Sequence, residues 1–190
     1  MLSFSLTTEE AMSRNERIEA LLARMGEGDT DAVGALYDLI RTDVYAYALS
    51  KLCNRYDADD VTQDVFVRIF RYAKRYEPRG KPMAWIITIE RNLICRRCER
   101  EARQVNWEAV SREEYVGDAV ELVVNNEFLK LLLRALSEEE REIVLLHAVS
   151  GLKHREIAGL LGKPLSTVLS KYNRAIRKLK AVGKENGYEA

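Results

Sequence analysis

Apolar residues recur along this chain at intervals of three and four, the spacing that puts side chains on one face of an α-helix. Ile18, Leu21, Leu22 and Met25 form one such face over 16–25, and Gly26 and Gly28 end it. Asp29 or Thr30 is placed to cap a second, longer helix carrying Val33, Leu36, Tyr37, Ile40, Val44, Tyr47 and Ala48 and running to about Cys53. A third helix is predicted with Asp57 as its N-cap; Val61, Val65, Ile69 and Tyr72 make its stripe, while Asp60, Gln63, Asp64 and Arg68 lie off it. Pro78, Gly80 and Pro82 interrupt the chain before a fourth helix from Met83 to about Arg103. From 104 to 120 the apolar period is lost and acids accumulate, which predicts a linker and a domain boundary. Beyond it, NNEFLKLLLRAL predicts a short helix, and Ser137 with Glu140 three residues later is a capping box opening SEEEREIVLLHAV.

The segment HREIAGLLGKPLSTVLSKYNRA carries the sharpest local pattern. Ile157, Ala158 and Leu161 give a short helix its buried side, Gly162 permits a positive φ at its end, and Pro164 stops it from continuing. Ser166 or Thr167 then opens a second helix with Val168 and Tyr172 facing the first. This is a helix-turn-helix, in which a small residue such as Ala158 lets the helices cross closely and the second can enter a DNA major groove. Ser170, Lys171, Asn173, Arg174, Arg177 and Lys178 project away from the packed side. Hydroxyls and backbone N–H groups at that helix's start suit phosphate, and the basic residues add counterion-release affinity.

Charge changes the picture in detail but not in total. The 30 basic and 30 acidic residues cancel, which alone argues against a nucleic-acid binder. Yet 71–103 holds ten Lys and Arg against four acids, and 151–184 holds nine against one, while 27–64 and 104–140 each hold nine acids against three bases. Phosphate responds to such local concentration rather than to the average. Low glycine, three prolines and 32% charged residues favour an all-α protein of two small helical domains. No apolar run approaches a membrane span, and an N-terminal segment that lacks a positive start and carries acids at Glu9 and Glu10 argues against a secretory leader, so a cytoplasmic protein without membrane insertion is expected.

Three segments, in order, resemble the bacterial RNA polymerase sigma factors of the extracytoplasmic-function group of the sigma-70 family. YDADDVTQDVFVRIFRY is similar to that family's D-A-E-D-[LV]-x-Q-[ED]-x-F-[LIV]-[RK] segment and PMAWIITIERNL to its x-x-A-W-L-x-x-I-A-R-N segment; the stretch from Leu136 to Lys180 resembles its fourth region. The resemblance implies a region 2 helical bundle and a region 4 helix-turn-helix joined by a flexible acidic linker. The expected organisation is an N-terminal disordered extension (1–15), region 2 (16–103), the linker (104–126), region 4 (127–184) and a tail (185–190).

The resemblance also implies partners and site residues. Core RNA polymerase would be bound through its beta-prime clamp helices and beta flap, with Asp60, Gln63, Asp64 and Arg68 on the clamp-helix side. Asn92 occupies a base-contact position for the minus 10 element, and Arg91, Arg96, Arg97 and Arg100 could form the basic track along a melted strand. Trp85 is an aromatic candidate for base stacking but is more often a core residue in this motif. Ser166, Thr167, Ser170, Lys171, Asn173 and Arg174 match positions that contact duplex DNA at the minus 35 element, and Arg177 and Lys178 extend the basic face. Leu169 replaces a common basic residue, His147 stands where an arginine often touches the backbone, and Arg96 stands where the family often has aspartate, so promoter sequence does not transfer from relatives. The linker acids Glu108, Glu113, Glu114, Asp118 and Glu121 resemble linkers that thread near the template channel, or serve as a solvated spacer. The family also implies an anti-sigma protein that holds the factor inactive until a signal releases it.

Two rival readings have less support. A simple helix-turn-helix regulator leaves 29–103 without a role. An enzyme lacks its parts: His147 and His154 are the only histidines, and no Gly-rich phosphate loop, H-E-x-x-H or nucleophile elbow occurs. No catalytic residue and no cofactor is expected. Cys95 and Cys98 form a C-x-x-C, but zinc needs four ligands and a redox pair favours a helix N-terminus, whereas this pair lies well inside a helix. A helical wheel puts Cys98 near Ile87 and Ile94, and Cys95 nearer Thr88 and Asn92.

Overall fold

The computed structural model describes residues 12–52, 54–104, 132 and 134–187. All regular structure among them is helical: α1 (Arg14–Gly26), α2 (Asp31–Leu52), α3 (Arg55–Tyr72) continued by a 3₁₀ turn (Ala73–Arg75), α4 (Pro82–Gln104), α5 (Glu138–Ala148), α6 (His154–Leu161) and α7 (Leu165–Glu185). The expected linker beyond Gln104, which ends α4, the NNEFLKLLLRAL helix except for a few terminal residues, and most of the N-terminal extension lie outside the described residues.

Local chemistry sets the helix ends. Ser13 and Glu16 form a capping box, so α1 starts two residues before the predicted 16–25 segment. Asp29 caps α2 by accepting from the amides of Asp31 and Ala32 at 2.9 and 3.3 Å. The predicted cap of α3 is corrected: Asn54, not Asp57, accepts from the amides of Tyr56 and Asp57, and the helix begins at Arg55. Pro82 occupies the first position of α4, where a missing N–H costs nothing. Ser137 and Glu140 form the predicted capping box on α5.

Helices α1 to α4 pack around Ile18, Leu22, Leu36, Ile40, Leu49, Ile69, Ile86 and Ile87, all fully buried. Each such side chain contributes about 1.5–3 kcal/mol by leaving water. The stripe predicted for α3 is correct at Val61, Val65 and Ile69 and wrong at its end: Tyr72 is 41% exposed, and Phe66 is buried instead against the ring of Tyr37 at 4.8 Å. Helices α5 to α7 close on Ile143, Leu146, Leu152, Ile157 and Val168. The chain from Tyr76 to Gly80 is tied to α1, because Glu19 accepts from the Tyr76 hydroxyl at 2.7 Å and the Gly80 amide at 2.8 Å. That anchor fixes the approach to α4.

Candidate nucleic-acid interface

Helices α3 and α4 carry the residues expected to meet polymerase and the minus 10 element. Asp60, Gln63 and Asp64 are exposed and Arg68 is half-buried. Asp64 and Arg68 share one cleft of about 480 Å³ with Leu93, Arg96, Glu99 and Arg100. Two expected sets thus border the same depression. An apolar cleft of about 550 Å³ follows along α3, where Val33 and Phe66 are flanked by Val67 and Phe70, 48% and 40% exposed. Val67 and Phe70 are not among the expected site residues; their signal in the sequence is two large apolar side chains off the buried stripe of α3.

The α4 residues divide. Asn92, Arg96 and Arg100 are exposed. Arg97 is instead half-buried between Asp57 and Asp60, tying α4 to α3. Arg91 donates to the backbone carbonyl of Leu160 on α6. Both were expected along a melted strand, and both are committed to protein groups because charged donors at a helix crossing find acceptors there. Trp85 is half-buried and meets Tyr76 at 5.0 Å, with Arg75, Arg79, Lys81 and Thr88 around a neighbouring cleft of about 490 Å³. Cys95 is exposed and Cys98 packs partly against the core, as the helical wheel predicts.

Between α4 and α2 lies Glu90, fully buried, with neither carboxylate oxygen hydrogen-bonded among the described residues. Burial pushes its pKa well above the ordinary carboxylate range, and the charge of Asp43 adds to that; the Ala48 backbone N–H works in the opposite direction without forming a hydrogen bond to it.

The helix-turn-helix follows the sequence closely. Gly162 ends α6 at φ 63°, a left-handed conformation that costs other residues about 1–2 kcal/mol. Lys163 N–H then bonds back to the Ala158 carbonyl at 3.0 Å. Helix α7 begins at Leu165, one residue before the predicted Ser166 or Thr167, and Val168 is fully buried against α6. Ser166, Ser170, Asn173, Arg174 and Arg177 are exposed and Thr167 half-buried, on one accessible side; Arg177 Nε also reaches the Asn173 carbonyl at 3.4 Å.

Three expected minus 35 residues are engaged inside the protein. Lys171 pairs with Glu139, and Lys178 with Glu140 at 2.6 Å. The His147 ring stacks on His154 at 4.4 Å and meets Tyr172 edge-on at 5.0 Å, with its Nδ1 2.8 Å from the Leu152 carbonyl. It is directed into the domain by these contacts rather than onto the accessible side of α7. His154 Nε2 is buried without a hydrogen-bond partner among the described residues, and burial followed by the nearby His147 lowers its pKa.

The two helical units meet along a polar seam. Tyr47 donates to Glu142 at 2.9 Å, Lys51 lies 2.9 Å from Glu142 and 3.5 Å from Glu138, and Lys81 lies 3.7 Å from Glu156. The Arg91 contact to Leu160 completes it.

Comparison with known proteins assigns these units. Residues 36–104 match the Sigma-70 region 2 family and residues 129–179 match Sigma-70, region 4. The ECF RNA polymerase sigma factor SigK of Mycobacterium sp. (strain KMS) is 31% identical over 171 residues, spanning 86% of this chain and 89% of that protein. The chain belongs to the ECF RNA polymerase sigma factors. This sigma factor is also 28% identical over 176 residues to BldN of Streptomyces coelicolor, covering 89% of this chain and 67% of that one. Its fold is shared by CnrH in complex with the cytosolic domain of CnrY, at TM-score 0.59 and 24% identity, over 90% of this chain and 99% of that one. It is shared too by the sigma factor RpoE in complex with the anti-sigma factor NepR from Bartonella quintana, at TM-score 0.57 and 20% identity, over 78% and 94%. As a sigma factor the protein is a transcription-initiation factor rather than an enzyme, and it directs RNA polymerase to promoters. Among the described residues no helix is long and apolar enough to cross a membrane.

Proposed function

We propose that region 2 (16–103) grips the beta-prime clamp helices of core polymerase through Asp60, Gln63, Asp64 and Arg68, and melts the minus 10 element with Asn92, Arg96 and Arg100. Region 4 (127–184) docks near the beta flap and reads the minus 35 duplex with Ser166, Thr167, Ser170, Asn173, Arg174 and Arg177, while 104–126 sets the reach between the two. The observation that carries this reading is the single cleft where Asp64 and Arg68 of α3 meet Arg96 and Arg100 of α4. A polymerase contact there is contiguous with a basic surface for the melted strand, so binding polymerase and presenting DNA are joined by geometry. Arg91, Arg97, Lys171, Lys178 and His147 reach nucleic acid only by giving up the protein contacts they now make.

The protein works in the cytoplasm, and an anti-sigma protein holds it inactive until a signal releases it. RpoE of Bartonella quintana, which shares the fold, is solved with such a partner. The reading is tested by core-polymerase binding of D64R and R68E, read beside their thermal stability. Loss of binding with an unchanged melting temperature supports the assignment, and undiminished binding contradicts it.

A further inference from the structure

Glu139 stands at the second position of α5, outside the helix-turn-helix proper, yet its two carboxylate oxygens hold two lysines of that motif. Oε1 lies 2.6 Å from Nζ of Lys163 in the turn, and Oε2 pairs with Nζ of Lys171 on α7. The side chains of Lys163 and Lys171 are only 31% and 25% exposed, while that of Glu139 is 47% exposed. The neighbouring pair differs: Glu140 is buried and closes the capping box with Ser137, so its contact to Lys178 belongs to the fold. Glu139 takes no part in that box, so replacing it removes neither of the box's two hydrogen bonds.

We infer that Glu139 determines the specificity of promoter reading: by bridging Lys163 to Lys171 it withdraws two lysines from phosphate neutralisation and leaves recognition to the polar and arginine groups of α7. The inference rests on the reading that α7 meets the minus 35 duplex. Lys171 lies one helical turn from Thr167 and from Arg174, so a carboxylate held on it places negative charge beside the recognition row. Sequence-independent affinity comes from counterions released as Lys and Arg meet phosphate, and specificity is the ratio of specific to non-specific affinity. Such a term cancels when both complexes share it equally; here the two lysines would meet phosphate in the sequence-independent complex, so withdrawing them lowers the denominator alone and raises the ratio.

Two measurements on the full chain test this. The first is affinity for a mixed-sequence 30-base-pair duplex across a salt series. Freeing both lysines in E139Q is expected to steepen the log–log salt slope by about 1–2 and to tighten this binding by about tenfold or more at low salt. K171Q alone is expected to leave the wild-type slope unchanged, and E139Q added to K163Q/K171Q is expected to do nothing, whereas E139D restores wild-type behaviour. The second is run-off transcription by reconstituted holoenzyme from a promoter it uses and from the same promoter with a scrambled minus 35 element. The preference for the intact promoter is expected to fall at least fivefold in E139Q because the scrambled template gains. An unchanged slope and preference in E139Q, or a slope reduced by about 1 in K171Q alone, overturns the inference and leaves the sigma reading standing. A wild-type holoenzyme indifferent to scrambling overturns the minus 35 reading and the inference with it.

Discussion

Tyr47 donates a 2.9 Å hydrogen bond to Glu142 across 95 positions of sequence, and so joins region 2 to region 4. Burial above all, then the Glu142 charge and this hydrogen bond, keep the phenol protonated far into the alkaline range, so the donor persists at every physiological pH. Lys51 supports the same carboxylate, whose side chain is only 13% exposed. Y47F is expected to cost about 1–3 kcal/mol, because Glu142 loses a donor in a partly desolvated site. Y47F combined with K51M is expected to separate the two units, read as a larger radius of gyration in small-angle scattering. An unchanged radius in the double variant contradicts the seam.

Glu90 predicts how region 2 responds to pH. Its folded pKa is raised, so its contribution is fully present below the ordinary carboxylate value of 4.5 and is lost as pH rises through the folded value. Asp43, itself paired with Arg14, and the Tyr47 hydroxyl face it from α2, and Arg14 reaches that site from α1. Glu90 stands where the family segment has alanine, which makes E90A the natural comparison. The melting temperature of wild type is expected to fall from pH 5 to pH 8 relative to that of E90A; parallel profiles contradict a buried, unpartnered acid.

His154 predicts the opposite sign in region 4. Its folded pKa is lowered, so its contribution is present above the ordinary value of 6.5 and is lost as pH falls below it. His147 and Tyr172 are the rings that face it. Hydrogen exchange in α6 and α7 is expected to accelerate between pH 7 and pH 5.5, after correction for intrinsic rates, and H154F is expected to flatten that dependence.

Arg96 and Arg97 are adjacent in sequence and differ in surroundings: Arg96 is exposed, and Arg97 is held by Asp57 and Asp60. R97M is expected to lower stability by about 1–2 kcal/mol, because Asp57 and Asp60 lose their shared cation at a half-buried crossing. R96A is expected to leave the melting temperature unchanged and to reduce open-complex formation by roughly tenfold, the size of a lost single-strand contact. Permanganate footprinting of the melted bases separates the two.

These pairs also mark where sequence was enough. The turn at Gly162 and the capping box at Ser137 were legible because each is set within five residues. Asn54 displaced Asp57 as a cap because both are competent and tertiary contact decides: Asp57 is used by Arg97, 40 residues away. The same reason hid the commitments of Arg91 and Lys171, whose partners lie 69 and 32 positions away on other helices. A helical wheel reports which side a basic residue occupies, not whether an acid from another helix is already there. Glu90 escaped notice because its isolation is a property of the assembled core.

The central claim is that this chain directs polymerase to promoters, and run-off transcription with purified protein, core RNA polymerase and sheared genomic DNA tests it most directly. Discrete 5′ ends that share paired minus 35 and minus 10 elements, absent with core polymerase alone and lost in D64R, are the predicted result. No promoter-specific transcript, despite specific duplex binding by the protein on its own, would contradict it and would leave a simple helix-turn-helix regulator.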